Sequence, residues 1–246
     1  MTTATATLTR IEARLFLRER AGLIWGLAFP AILLIILGAL GGKKHDKDLD
    51  GLTLAATYVP IVIAFSIAML ALNAMPPVLG SYRERGVLRR MSTTPVPPSR
   101  LLAAQVMINV VVAATATVLV LIIGRVAFDV GLPGQAGGFL LALVLTAAGL
   151  FGIGLTIAAL APSGKVANAA GAITFFPMMF FAGLWVPRAV MPDVLRHVSD
   201  YTPLGAAVQA LQDSARGQFP HALHLAVLAG YAVVFGVAAT RLFRWE

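Results

Sequence analysis

Cysteine and charge are what this sequence has little of. None of its 246 residues is cysteine, which excludes disulfide bonds, thiolate nucleophiles and cysteine metal sites. Asp, Glu, Lys and Arg together make up 12% of the chain, about half of the roughly 25% found in soluble domains. Hydrophobic residues make up 59%. These proportions are typical of an integral membrane protein.

Catalytic motifs are also missing. A P-loop needs G-x-x-x-x-G-K-[ST], but "GALGGKK" at 38–44 has the wrong spacing and "PSGKV" at 162–166 lacks both the first glycine and a hydroxyl residue after its lysine. The sequence contains no G-x-S-x-G motif, no H-E-x-x-H motif and no paired carboxylates in its apolar stretches. We therefore expect no catalytic residue, ATP site, cofactor or metal in this chain.

Six stretches are long and apolar enough to cross a bilayer as helices, which takes about 20 residues. They cover approximately 21–42, 52–77, 101–124, 136–161, 166–187 and 221–240. The first exceeds the length of a signal-peptide core and follows twenty polar-rich residues, so we expect it to be retained. The sequence thus predicts an all-α integral membrane protein with six transmembrane helices and both termini on one side.

Basic residues are distributed unevenly in this topology. With the N-terminus in the cytoplasm, twelve of the 19 Lys and Arg residues and all four glutamates fall inside, whereas seven basic residues and all seven aspartates fall outside. The net charge of +8 then lies on the cytoplasmic side, as the positive-inside rule requires. Insertion and contact with anionic lipid account for this excess. A nucleic-acid partner is not expected, because the chain has no compact basic domain.

The residues ahead of the first span form an amphipathic pattern. Apolar and basic side chains recur at helical spacing on separate faces: Leu8, Ile11 and Leu15 on one, and Arg10, Arg14 and Arg18 on the other. This predicts an N-terminal cytosolic helix over 1–20 that lies in the membrane interface. Glu12 and Glu19 lie near the apolar stripe, where they either face a protein partner or rest among lipid headgroups.

The loop "GGKKHDKDLDG" at 41–51 begins like a calcium-binding EF-hand loop. The match fails at its twelfth position, where Thr57 replaces the bidentate glutamate and already belongs to the second apolar stretch. We expect a solvated outer turn without metal.

The segment "SYRERGVLRRMSTTPVPPSR" at 81–100 places five arginines between the second and third spans. A helix over 82–91 would carry a short apolar ridge of Val87, Leu88 and Met91 between arginines. Pro95 disfavours helix at the residue before it, and two further prolines prevent its continuation. The pattern suits either a helix docked in the groove of another protein or a loop held on anionic lipid.

The same segment resembles the cytosolic loop of the ABC-2 type permeases, the membrane subunits of ATP-driven exporters. That loop typically has an acidic residue, a glycine, a leucine and then Thr-Pro, which Glu84, Gly86, Leu88, Thr94 and Pro95 match. The resemblance implies a coupling helix over about 82–95 that contacts the ATP-binding subunit. Its contact residues would be Glu84, Arg85, Gly86, Leu88, Met91, Thr94 and Pro95. A second acidic residue common in the family is Arg89 here, a departure at the partner surface.

A second stretch, "FFPMMFFAGLWVPRAVMPDVLRHVSDYTPLGAAVQAL" at 175–211, resembles the fifth span of the same family and the outer hairpin that follows it. The matching residues are Gly183, Pro187, Met191, Pro192, Pro203 and Leu204. The resemblance, which covers essentially the whole chain, implies a re-entrant outer hairpin over 188–220. Pro187, Met191, Pro192 and Pro203 would form an outer gate.

The resemblance also implies an assembly. Because the chain has no ATP site, ATP and Mg²⁺ would be held by a separate ABC ATP-binding subunit, and two permeases would sit over two such subunits. We expect a homodimer, with pairing to a related permease as the alternative. Drug, antibiotic and lipid exporters of bacterial cytoplasmic membranes resemble this chain most in length and in their short outer loops, which implies an efflux role.

Residues for a substrate path are suggested by the aromatic and methionine-rich surface around Pro177. The candidates are Phe175, Phe176, Met179, Phe180 and Trp185, with Asn73 as a polar contact from the second span. Each could equally pack against other helices or lipid. The glycines of "GLFGIG" at 149–154 favour close approach of a neighbouring helix over ligand binding.

A transporter driven by protons or sodium is the competing interpretation. Such proteins usually keep Asp, Glu or His within the membrane. The centres of the six apolar stretches contain no Asp, Glu, Lys or Arg, and only His224 lies near the outer end of one. The sequence therefore favours an ATP-driven mechanism.

Overall fold

The computed structural model describes residues 24–42, 49, 51–87 and 99–242, most of which lie in helices. In chain order the helices are α1 (Ile24–Ala28, a π-helical turn, continued by Phe29–Gly41), α2 (Leu54–Glu84), α3 (Ser99–Phe128), α4 (Ala136–Leu160), α5 (Gly164–Phe181), α6 (Asp193–Tyr201), α7 (Pro203–Ala215) and α8 (Ala222–Leu242). A 3₁₀ turn, Arg188–Val190, precedes α6. These residues contain no β-strand, which confirms the all-α class. The predicted helix over 1–20 lies outside the described residues.

Four of these helices, α2, α3, α4 and α8, are long and apolar enough to cross a membrane. The other two helices that overlap predicted spans are α1, which is apolar but shorter, and α5, which has 18 residues. The largest differences from the predicted boundaries are at the ends of α2 and α5. α2 continues past 77 to Glu84, since the polar residues that end the apolar run do not end the helix. α5 ends at Phe181 instead of 187, because Gly183 adopts a φ of 84° that terminates a helix.

α2 is the central helix of the molecule. Within its most apolar window, 83% of the residues are buried, against 11% for α8. It packs against α1, α3, α4, α5 and α7. A helix that is apolar on all sides is suited to such a position, and side chains such as Ile61, Ile63 and Leu72 are fully buried. Any movement of α2 must therefore be transmitted to most of the other helices.

α4 and α8 form the most extensive helix pair, and glycines bring them together. A Cβ atom on Gly152 would lie 3.2 Å from Cβ of Phe235, and one on Gly149 would lie 3.4 Å from Cβ of Tyr231. Small residues at such an interface allow two backbones to approach closely. The prediction that the glycines of 149–154 serve helix packing is confirmed.

The segment after α5 folds as two short helices, α6 and α7, which we call the α6–α7 hairpin. The Thr202 side chain accepts a hydrogen bond from the Gly205 N–H at 3.2 Å, and Pro203 occupies the first turn of α7, so both residues favour a helix start here. The Ser199 hydroxyl donates to the Phe181 carbonyl at 2.7 Å and joins α6 to the end of α5. α7 is almost wholly buried against α2, α4, α5 and α8.

Candidate functional site

The end of α2 is fixed to the end of α4 by one side chain. Nη1 of Arg83 donates to the carbonyl oxygens of Ala158, Ala159 and Ala161 at 3.1, 3.2 and 2.7 Å. The last carbonyls of a helix have no donors within the helix, and the negative end of the helix dipole favours a cation there. Arg83 therefore caps α4 and at the same time holds the last turn of α2 in place.

The residues predicted to begin the coupling helix lie directly beside this cap. Glu84 and Arg85 are exposed, and Gly86 adopts a φ of 65° with its N–H bonded to the Arg83 carbonyl at 2.9 Å. A left-handed glycine ends a helix. Residues 82–84 therefore belong to the last turn of α2, which ends before Arg85 and Gly86, and the coupling helix over about 82–95 stays a prediction. The remaining predicted contacts, Leu88, Met91, Thr94 and Pro95, lie outside the described residues.

Farther back along α2, Leu70–Ala74 form a π-helical turn. The N–H of Met75 donates to the carbonyl of Leu70, five residues back. Pro76 and Pro77 follow and have no N–H, so the carbonyl of Leu72 has no backbone donor either four or five residues ahead. A π-turn is the usual adjustment where the helical hydrogen-bond pattern is interrupted. The two prolines thus account for the widened turn.

Glycines from two neighbouring helices lie against the carbonyls of this turn. A Cβ atom on Gly154 of α4 would lie 1.9 Å from the Ala71 oxygen, and one on Gly171 of α5 would lie 1.9 Å from the Leu72 oxygen. No side chain fits at either position. Contacts between Cα–H groups and carbonyl oxygens partly replace the missing hydrogen bonds. The π-turn is therefore held between α4 and α5.

Asn73 lies within the π-turn and is half-buried. Its Nδ2 atom is buried and has no hydrogen-bond partner among the described residues. A buried donor without a partner costs about 1–3 kcal/mol, which a bound polar group would recover. The structure therefore gives the predicted polar contact a position at the most irregular point of α2.

The predicted aromatic and methionine residues of α5 divide between two faces. Phe175 and Met179, four residues apart, are buried, and Phe175 packs edge-on against Phe65 of α2 with ring centroids 5.6 Å apart. Phe176 is 60% exposed and Trp185 is 63% exposed, whereas Phe180 is half-buried. Phe175 and Met179 thus belong to the core, whereas Phe176 on α5 and Trp185 in the segment after it are exposed.

The four predicted gate residues surround the start of the α6–α7 hairpin. Met191 and Pro203 are buried, Pro187 is half-buried and Pro192 is exposed at the start of α6. The Tyr58 hydroxyl, near the start of α2, donates to the carbonyl of Leu184 in the segment between α5 and the hairpin at 3.3 Å, and α7 packs against α2. The hairpin and α2 are therefore in direct contact at the end of the molecule opposite Arg83.

A network of charged side chains connects the hairpin to α8. Asp200 accepts from Arg188 at 2.7 Å and lies 3.2 Å from Nε2 of His224. Asp213 of α7 lies 3.9 Å from Nδ1 of the same histidine and accepts from the His221 N–H at 3.2 Å. Among the described residues, no three His, Asp or Glu side chains are arranged to hold a metal ion. The network therefore acts through ion pairs and hydrogen bonds.

Both aspartates of this network are held in the ionised form. Burial by itself would raise the pKa of Asp200, but the hydrogen bonds and charges of Arg188 and His224 outweigh it, so the pKa is lowered from its ordinary value. Burial opposes ionisation of Asp213 in the same way. Its pKa is lowered by His224, by the His221 N–H and by the charge of Arg216.

The model of the ABC-2 type transporter family covers residues 3–215. The chain belongs to the ABC-2 type transporter family. No curated protein sequence matches it. It is accordingly a permease subunit of an ABC transporter, a multi-pass membrane protein with a transport role and no catalytic one.

Three structural features described above lie on one helix. In this ABC-2 permease, the Arg83 cap, the π-turn and the hairpin contact all lie on α2, which connects the two ends of the molecule. Sequence reasoning missed the cap and the charge network, because their partners are 75 and 24 residues apart in sequence. A signal was present in the tandem Pro76-Pro77 within an apolar stretch, which indicated an irregular helix.

Proposed function

We propose that this chain is the membrane subunit of an ABC exporter that moves amphiphilic small molecules, such as drugs, antibiotics or lipids, out across the cytoplasmic membrane of a bacterium. The observation that carries the proposal is the continuity of α2 from Leu54, near its contact with the hairpin, to Glu84. A buried helix fixed at both ends is suited to transmit a force applied at one end to the other.

The proposed topology has six spans, formed by α1, α2, α3, α4, α5 and α8. Both termini and the segment 85–98 face the cytoplasm, as the distribution of basic residues supports. The α6–α7 hairpin then lies on the outer side as a re-entrant element, because each of its helices is too short to cross a bilayer. The buried Met191 and Pro203 support a closed outer gate.

Energy is proposed to enter through residues 82–95, which dock on a separate ATP-binding subunit that holds ATP and Mg²⁺. Three features support this: the family match, the exposure of Glu84 and Arg85, and the Arg83 cap directly behind them. A force from the docked subunit would then act on the end of α2, which the Arg83 cap holds against α4. The movement would then reach the π-turn, where α2 lacks regular hydrogen bonds and bends most easily.

A homodimer is proposed as the working unit, because two ATP-binding subunits need two permeases. The exposed apolar residues of α5, Phe176 and Ile173 at 74% exposure, and Trp185 beyond its end support a substrate path or a dimer contact here. Asn73, with its unpartnered buried donor, would supply polar contact to amphiphilic cargo. Membrane lipid covers the remaining apolar surface.

The coupling role is tested by reversing the charge of Glu84. Glu84→Arg should reduce the ATP-binding subunit that co-purifies by at least tenfold, since losing an ion pair at a partly buried contact typically costs about 2–5 kcal/mol. Leu88→Asp should act similarly by placing a charge in the docking surface. Gln218→Arg, at an exposed position of the hairpin end, is the control for added positive charge.

The permease must remain inserted and dimeric in all three variants, which size-exclusion chromatography in detergent verifies. Substrate-stimulated ATP hydrolysis should fall together with co-purification for Glu84→Arg and Leu88→Asp only. Unchanged ATPase binding and transport in both would refute docking through this segment and would leave lipid contact as its role.

A further inference from the structure

A cavity of about 160 Å³ opens between the α6–α7 hairpin, the start of α2 and the end of α5. A space of this size holds several water molecules or one small ionic group. Residues of α2 and of the segment after α5 line it together with the hairpin, and a ligand bound there does not depend on the proposed export function.

Among the described residues, the polar lining of the cavity carries positive charge and no carboxylate; it also includes the Thr57 hydroxyl, and the Gln209 amide donates to the Gln212 amide oxygen at 3.2 Å. Three guanidinium groups line it, those of Arg188, Arg196 and Arg216, together with the amides of Gln209 and Gln212. The remainder is apolar and includes Ile61, Ala182 and Val208. Guanidinium and amide N–H groups favour a negatively charged oxygen ligand.

Aspartates hold these arginines from outside the cavity. Asp200 pairs with Arg188, and Asp193 pairs with Arg196, but neither aspartate lines the cavity. A guanidinium has five N–H donors. The ion pair and the hydrogen bond from Arg188 to the Arg196 carbonyl at 3.1 Å leave donors of Arg188 for a ligand. The aspartates therefore orient the guanidinium groups and do not fill the space between them.

One donor of Arg196 has no partner in the described structure. Its Nε atom is buried and makes no hydrogen bond, although Nη2 is paired with Asp193. The Nε atom is not accessible from the cavity, so a ligand there would accept from the outer nitrogens of the guanidinium, whose charge the single pair with Asp193 leaves incompletely satisfied. This is the same group that lines the cavity from α6.

We propose that this cavity binds a phosphate-type oxyanion, either the phosphodiester of an anionic phospholipid or a free phosphate ion. Guanidinium groups from three separate elements, the 3₁₀ turn, α6 and the end of α7, surround the space. A tetrahedral oxyanion offers acceptors in several directions, whereas a planar carboxylate matches one bidentate arginine. The apolar part of the lining would accommodate the glycerol and first methylenes of a lipid.

The variant for the test is Arg196→Gln combined with Gln212→Leu, which removes one charge and one amide from the lining. The cost to folding should be small, because the Arg196–Asp193 pair lies on an exposed helix turn. Arg125→Gln is the matched control. It breaks a similar pair within one helix turn, Arg125–Asp129 at 3.0 Å, and Arg125 does not line the cavity.

Free phosphate is tested by thermal unfolding of the purified permease in neutral detergent, with sodium chloride at equal ionic strength as reference. Wild type and Arg125→Gln should be stabilised by phosphate, because a ligand that binds the folded state raises the Tm. The double variant should need about tenfold more phosphate for the same shift, as expected for loss of a charge-assisted hydrogen bond. Equal responses in wild type and the double variant would overturn the proposal.

Lipid is tested by native mass spectrometry after exchange into mixed micelles with phosphatidylglycerol or phosphatidylcholine. Retention of phosphatidylglycerol by wild type and Arg125→Gln, and its loss from the double variant, identifies a lipid headgroup as the ligand. A phosphate response without selective lipid retention identifies the free ion. Either result supports the oxyanion site, and the absence of both overturns it.

The chain's own acidic loop is the remaining occupant to exclude. Leu49 lines the cavity, and Asp48 and Asp50 are its neighbours in sequence. In Asp48→Asn/Asp50→Asn the phosphate response should stay within about twofold of wild type, a difference of roughly 0.4 kcal/mol. A phosphate response that occurs only in this variant would show that the chain's own carboxylates fill the cavity, and it would overturn the proposal.

Discussion

Glycine-to-alanine substitutions on α4 and α8 give the sharpest test of how closely α4 approaches the π-turn of α2. Four glycines differ in the space available to a Cβ atom: Gly236 has no atom within 4 Å, Gly149 has its nearest at 3.4 Å, Gly152 at 3.2 Å and Gly154 at 1.9 Å. The first lies on α8 and the other three lie on α4. Replacing each by alanine adds the same methyl group to a helix, so differences between the variants report packing.

The expected magnitudes follow from these distances. Alanine in an open helical position is favoured over glycine by up to about 1 kcal/mol, so Gly236→Ala should be neutral or stabilising. At Gly154 the methyl would lie more than 1 Å inside the 3.0 Å that real Cβ contacts respect, and the atom it meets is the backbone oxygen of Ala71. α4 must then move away from α2. Overpacking of this kind costs about 1–3 kcal/mol, and a backbone clash favours the upper end.

The assay is unfolding of the purified permease in dodecylmaltoside with increasing SDS, followed by tryptophan fluorescence. The stability order should be Gly236→Ala, Gly149→Ala, Gly152→Ala and Gly154→Ala, from most to least stable. Gly171→Ala should resemble Gly154→Ala, because its methyl would lie 1.9 Å from the Leu72 oxygen. A Gly154→Ala protein as stable as Gly236→Ala would refute the close approach of α4 to the π-turn, and with it the physical account of that turn.

Two further predictions concern α5 and the charge network. Phe175→Ala should destabilise the permease by about 3 kcal/mol, because it removes a buried ring. Phe176→Ala should leave stability unchanged and lower transport or dimerisation. The same unfolding assay measures stability, and a drug-efflux assay measures transport. Equal destabilisation by Phe175→Ala and Phe176→Ala would contradict the division of α5 into two faces. The lowered pKa of Asp200 means that its ionised form stabilises the fold above its ordinary pKa of about 3.9. Wild type should therefore have a higher Tm than Asp200→Asn at pH 7, and the difference should shrink as the pH falls below about 4. The control is Asp129→Asn, which should leave the Tm nearly unchanged because the pair of Asp129 is exposed. A Tm difference between wild type and Asp200→Asn that does not change with pH would contradict this account.

The sequence by itself determined the helical membrane class, the approximate positions of the helices and the family. An apolar stretch of more than about 17 residues crosses a membrane as a helix, because each backbone N–H and C=O group must then find its hydrogen-bond partner within the segment. The glycine, proline and acidic residues at 84–95 carried the family resemblance without any structure. The packing role of Gly149 and Gly152 also followed from local pattern.

Local pattern could not predict which apolar residues lie in the core. Residues that face lipid are as apolar as residues that face other helices, so hydropathy does not distinguish Phe175 from Phe176. The end of α2 is a similar case. Its length past the apolar run depends on Arg83, whose acceptors belong to another helix, and its stop depends on the conformation of Gly86.

Only the tertiary structure brought distant residues together. Arg188, Asp200 and His224 are ordinary polar residues in the sequence, and they meet because the α6–α7 hairpin folds back against α8. The cavity beneath the hairpin arises in the same way, from Arg196 of α6 and Gln212 of α7 facing the start of α2. Sequence periodicity reports which residues share a helix face, whereas contacts between helices depend on how whole faces fit, and that fit involves all the packed side chains at once.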